Sequence, residues 1–252
     1  MKSNMILLCL VALNLVTLGC YAQKINETAV TFLCDATDQT VFNAIESDFK
    51  QNLNTFFVNT NTGTINFGQR LTIRMAVIDE SNQLSLQSRF IALTDKRVSR
   101  KEAERQSNPR PLIEMISSEL TRYKQLSEKT MTSSPIIDVT LKVFREMDTE
   151  AREIVVISTD GLENSDYANF YKNIPTSEQA VETLISKIDS ILFAEAKDQV
   201  SLTDPEVVIV LKPNDKVKKT AELKKFYNEF FRQLGVNTIR FIDSLNNNPR
   251  LP

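Results

Sequence analysis

Short apolar runs alternate with amphipathic stretches from residue 28 to near the end of the chain. Residues 29–34 (AVTFLC) are continuously apolar, the pattern of a strand buried on both faces. Phe42, Ile45, Phe49, Leu53 and Phe56 then recur at helical spacing, and the Asn/Thr/Gly-rich residues 54–70 read as a loop. A second strand is predicted over 71–78 (LTIRMAVI) and a third, an antiparallel edge partner, over 84–93. Leu112, Ile113, Ile116, Leu120 and Tyr123 mark a helix. Pro135 opens another with Ile136, Ile137, Leu141, Phe144 and Met147 inward, since proline suits a first helical turn. Strands at 153–158 (EIVVIS), 206–211 (EVVIVL) and 237–242 (NTIRFI) alternate with one helix carrying Val181, Leu184, Ile185, Ile188 and Ile191 and another carrying Leu223, Phe226, Phe230 and Leu234.

This alternation predicts an α/β fold: a doubly wound, mostly parallel Rossmann-like sheet with helices on both faces. The expected domain covers 26–245, with 246–252 a disordered tail. In a 3-2-1-4-5-6 strand order the first strand lies beside the 153–158 strand, where the order reverses and such sheets bind ligands.

Composition narrows the chemistry. The 252 residues are 42% hydrophobic and 25% charged, with a net charge of −2, so no field favours nucleic acid. Histidine is absent, which removes His-based zinc sites and Ser-His-Asp triads. The five glycines form no phosphate-cradling motif. Residues 94–110 read as a charged, solvated insertion. Lys212, Lys216, Lys218, Lys219, Lys224 and Lys225 read as the exposed entry to a helix, and Glu163 as solvated.

Residues 1–22 read as a signal peptide: Lys2, then a 13-residue apolar stretch over 6–18, too short for a membrane span, then cleavage after Ala22. The Tyr21-Ala22-Gln23 end resembles many Bacteroidetes signal peptides. Thr17-Leu18-Gly19-Cys20 offers the alternative of a lipoprotein anchored at Cys20. Both imply an exported protein, periplasmic or secreted. Of the three cysteines, Cys9 and Cys20 fall in the leader, and Cys34 reads as a buried core residue.

Two predicted strands end in aspartate, at Asp35 and Asp160. Carboxylates facing each other across one crevice repel unless a cation lies between them. With hydroxyls nearby and no imidazole, the ion that suits is hard, such as Mg²⁺. The competing interpretation is structural: Thr37 or Asp38 caps the following helix, and Asp160-Gly161 is a turn.

Three segments carry a family resemblance. Asp35-Ala36-Thr37-Asp38-Gln39 resembles the Asp-x-Ser-x-Ser loop of the von Willebrand factor A family's metal-ion-dependent adhesion site. Ser158-Thr159-Asp160-Gly161 resembles that family's Ser-Asp-Gly strand end, with Thr159 inserted. Thr132-Ser133-Ser134-Pro135 resembles the stretch bearing its metal-binding threonine. The resemblance implies a degenerate metal site: Asp35 and Asp160 through water, Thr37 and Ser134 through hydroxyls, and Gln39 where the family has a second serine. It further implies an open metal position filled by an acidic side chain of a protein partner. The expected function is thus an exported binding module, not an enzyme, with Mg²⁺ as its cofactor. The alternatives are a metal-dependent hydrolase built on the same aspartates and a metal-free envelope scaffold.

Overall fold

The computed structural model describes residues 27–57, 70–92, 110–129, 131–212 and 219–245. Six strands form one sheet: β1 (Glu27–Asp35), β2 (Arg70–Ile78), β3 (Gln87–Ala92), β4 (Arg152–Thr159), β5 (Glu206–Leu211) and β6 (Thr238–Ile242). Their order is β3-β2-β1-β4-β5-β6, as the pattern predicts. All neighbours run parallel except β2 and β3, which pair antiparallel at the edge.

Side-chain alternation splits the core in two. Val30, Phe32 and Cys34 of β1, with Ile154 and Val156 of β4, face helices α1 (Gln39–Phe57) and α2 (Arg110–Ser127). Leu33 of β1, with Val155 and Ile157 of β4, faces the other layer. That layer holds α3 (Ile136–Arg145), α4 (Glu178–Ile185), α5 (Ser190–Thr203) and α6 (Thr220–Leu234). Phe226, Phe230, Phe231 and Leu234 of α6 are buried against it, each contributing roughly 1.5–3 kcal/mol through removal from water.

The structure departs from expectation in several places. α1 runs to Phe57, so residues 54–57 are helical, not loop. The single helix expected over 181–191 is two. α4 ends at Ile185, and Asp189 starts α5 by accepting from the Ile191 and Leu192 backbone N–H groups at 2.9 and 3.3 Å. Ile191, counted as inward, is 68% exposed: a helical count carried across the break assigns it to the wrong face. The leader, the insertion over 94–109 and the tail over 246–252 lie outside the described residues. Among those described, no helix is long and apolar enough to cross a membrane.

Lys212 is not part of an exposed entry. It follows β5 and is buried, with Nζ donating to Asp48 Oδ2 at 2.6 Å and to the Asp243 carbonyl at 3.0 Å. Asp48, on α1, also accepts from Asn52 Nδ2, Ser244 Oγ and the Leu245 N–H. One buried ion pair thus clasps α1, the end of β5 and the segment after β6. Lys219 is anchored too, its Nζ donating to the carbonyls of Phe170 and Tyr171. Lys216 and Lys218 lie outside the described residues.

Candidate functional site

β1 and β4 pair in register through Cys34 and Ser158. One step further, Asp35 and Thr159 stand side by side on the α3–α6 face, while Cys34 and Ser158 point the other way. Thr159 Oγ1 therefore reaches Asp35 Oδ2, donating at 2.6 Å, and itself accepts from the Gly161 N–H at 2.9 Å. The other oxygen, Asp35 Oδ1, accepts from Thr37 N at 3.0 Å and from Thr37 Oγ1 at 2.6 Å. Thr37 Oγ1 and Ser134 Oγ lie 3.2 Å apart and share a hydrogen bond. Thr37 has one hydroxyl proton, taken by the shorter bond to Asp35, so Ser134 donates in the longer one. A continuous chain Thr159–Asp35–Thr37–Ser134 thus joins three segments distant in sequence.

Each member is held by its own local structure. The segment before α3 carries Ser134 and pairs with the loop after β4 through Ser134 N to Asn164 O (2.8 Å) and Asn164 N to Ser134 O (3.0 Å). Asp160 follows β4 directly and is buried, and its Oδ1 accepts from the Leu162 N–H at 2.9 Å. Gly161 has φ +78°, where glycine is favoured, and a Cβ there would sit tightly, 3.2 Å from Leu211 Cδ2 and 3.3 Å from Tyr227 Cε2. Tyr227 Oη closes the turn by donating to the Gly161 carbonyl at 3.0 Å.

Burial raises the Asp35 carboxyl above its ordinary range, against the opposing pull of the Thr159 and Thr37 bonds. Asp35 and Asp160 share one electrostatic neighbourhood. The Tyr171 phenol, on a residue 45% exposed, is pushed up to about 12 by burial and then by Asp160, Asp35 and Asp38. The buried Tyr227 phenol is raised by burial, Glu163, Asp160 and Asp35. Burial, reinforced by Asp35, also raises the Cys34 thiol. Cys34 is fully buried, as expected of a core residue.

Three residues stand differently from what the sequence motifs suggest. Gln39 is exposed on the first turn of α1 and no hydrogen bond joins it to the chain of side chains around Asp35. The residue before it is the helix cap: Asp38 Oδ1 accepts from the Thr40 and Val41 N–H groups at 2.7 and 3.1 Å. Thr159, the extra residue relative to the motif, is hydrogen-bonded to Asp35, a role the sequence motif missed. Counting alternate faces outward from Val155 and Ile157 picks it out. Glu163 is not solvated but completely buried.

The donor set fits a hard cation in part. Adjacent ligands of an octahedral Mg²⁺ with bonds of 2.0–2.1 Å are about 2.9 Å apart, close to the Thr37–Ser134 separation. Among the described residues, no three or more His, Cys, Asp or Glu side chains gather as metal ligands. An ion held here would rest on hydroxyls and water, with the carboxylates behind them.

No family model matches the chain, and no curated protein matches it. Among solved structures, human COPII-coat protein Sec24c overlies 88% of this chain at 13% identity and a TM-score of 0.45. Proximal thread matrix protein 1 from the mussel byssus overlies 88% at 11% identity and a TM-score of 0.35. The chain spans 30% of the first protein's length and 43% of the second's. The fold assignment rests on strand order and register, not on these likenesses.

Proposed function

We propose that this chain is an exported protein-binding module of the von Willebrand A kind, not an enzyme, and that its ligand site is the crevice above β1 and β4. The observation that carries this is the hydrogen-bonded chain Thr159–Asp35–Thr37–Ser134, which gathers the three resembling segments in one place. In this proposal Thr37 and Ser134 offer hydroxyl oxygens to Mg²⁺, and Asp35 and Asp160 act through water. Thr159 fixes Asp35, and Gln39 takes no part. The ion supplies an open position for an acidic side chain of a protein partner. Export rests on the leader, with cleavage after Ala22 or lipidation at Cys20.

The test is thermal melting of wild type and Asp35→Ala with Mg²⁺, Mn²⁺ and EDTA. Binding to the folded state raises stability by roughly 2.7 kcal/mol at a hundredfold excess over Kd. Wild type should gain stability with Mg²⁺ or Mn²⁺, and Asp35→Ala should not. The absence of a shift in wild type with either ion would replace this proposal with a metal-free envelope scaffold. Metal-dependent turnover in a phosphatase and esterase screen would replace it with a hydrolase.

A further inference from the structure

The two most exposed large apolar residues among those described are Ile191, at 68%, and Leu202, at 67%. Both lie on α5, one near each end. At about 3.6 residues per turn they share one face, roughly three turns and ~16 Å apart along the helix. Glu195 and Asp198 lie on the same face between them and are exposed. Lys197, by the same count, points to another side of the helix.

Beside that face an open groove of about 520 Å³ lies between α5 and the end of α3, lined by Arg145, Glu146, Glu195, Asp198 and Gln199. Acids outnumber bases in it. Arg145 stands 3.4 Å from Glu146 and 3.6 Å from Glu195, and all three side chains are half-exposed, so these pairs are weak and readily exchanged. Asp198 pairs with no cation among the described residues. α3 begins beside Ser134 and ends at Arg145, so the groove lies one helix length, ~15 Å, from the crevice and is a separate surface.

Two copies of this face do not suit each other. In an antiparallel pairing of two α5 helices, Ile191 meets Leu202 of the other copy, but Glu195 then meets its Asp198. In a parallel pairing each acid meets itself. Like charges set together oppose association. We propose that this face docks a basic amphipathic helix of another protein. A helix laid along α5 keeps contact over three turns. Its apolar residues, spaced like Ile191 and Leu202, cover that pair, and lysine or arginine between them meets Glu195, Asp198 and Glu146. The acids set the sign of the partner, and the aliphatic pair sets its register. This surface is independent of the crevice and of any metal held there.

The probe is a synthetic alanine- and glutamine-rich helical peptide with two leucines spaced as Ile191 and Leu202 are, and lysines where Glu195 and Asp198 stand; the control peptide carries glutamate in place of both lysines. NMR titration of the wild-type protein follows the backbone amides. The lysine peptide should shift amides from Ile191 to Leu202 and at Arg145 and Glu146, and the glutamate peptide should not. Ile191→Ser and Leu202→Ser should each weaken binding roughly tenfold, as expected when one aliphatic side chain is no longer covered. Both variants should melt as wild type does, because the two residues are exposed. Glu195→Gln with Asp198→Asn should weaken binding and flatten its salt dependence. No shifts with the lysine peptide would overturn the proposal. So would binding that persists unchanged in both serine variants, since charge alone would then account for it. A concentration-dependent wild-type dimer in sedimentation, abolished by Leu202→Ser, would also overturn it and make a second copy the occupant.

Discussion

Replacing Asp48 with alanine removes the carboxylate from the buried clasp while leaving its cation behind. The side chains of Lys212 and Asp48 are only 8% and 5% exposed, so neither charge is solvated by bulk water. Without Asp48, the Lys212 ammonium keeps one bond, to the Asp243 carbonyl, and the Leu245 N–H loses its acceptor. Breaking such a pair from one side costs roughly 3–5 kcal/mol. For a domain of this size that lowers the melting midpoint by ~6–20 °C. Urea unfolding and calorimetry measure it. The double variant Asp48→Leu/Lys212→Met should recover most of the loss, because it removes the stranded charge as well. The pH dependence has a definite sign. Lys212, Ser244 and Asn52 outweigh the effect of burial and hold the Asp48 carboxyl below its ordinary value of 3.8. The clasp's contribution is therefore present above about pH 4 and lost as pH falls through the depressed value. A cost under about 1 kcal/mol for Asp48→Ala would mean the pair behaves like an exposed one, and the argument from burial would fail.

Three further outcomes follow from the site. Thr159→Val keeps the shape but removes the donor to Asp35 Oδ2, so stability should fall by about 1–3 kcal/mol in urea titrations, as for a buried acceptor left unpaired. Gly161→Ala should cost roughly 1–3 kcal/mol by the same assay, from its positive φ together with the Leu211 and Tyr227 contacts. Cys34 should resist alkylation at neutral pH in the folded protein and react only on unfolding, read by mass spectrometry, because its thiol is fully buried and shifted away from the reactive thiolate.

The sheet was legible because strands buried on both faces are continuous apolar runs, and AVTFLC or EVVIVL is too short and too rich in β-branched residues to suit a buried helix. The strand order followed from connection rules that leave few choices. Asp35, Thr37 and Ser134 were legible as a set because their segments sit at strand ends and before a helix. Thr159 was missed, and Gln39 stands outside the hydrogen-bonded chain, for one shared reason: a motif is a string, whereas neighbourhood in the fold depends on which face each residue takes. Gln39 lies beyond the Asp38 cap, where the chain has already turned into α1. Glu163 carries no local mark of burial. Its surroundings come from α3, α6 and its own loop, and only the assembled fold brings them together.

The separation of the core into two layers by strict alternation has a consequence for assembly. A slip of β1 by one residue against β4 would send Phe32 and Cys34 towards α3–α6 and Leu33 towards α1 and α2, turning Asp35 away from Thr159. The carboxylate would then lie against apolar side chains with no hydroxyl to meet it. Asp35 thus acts as a checksum on strand pairing: the bond to Thr159 closes only when every residue before it is in place, so misregistered chains are penalised at the position where ligand recognition would begin.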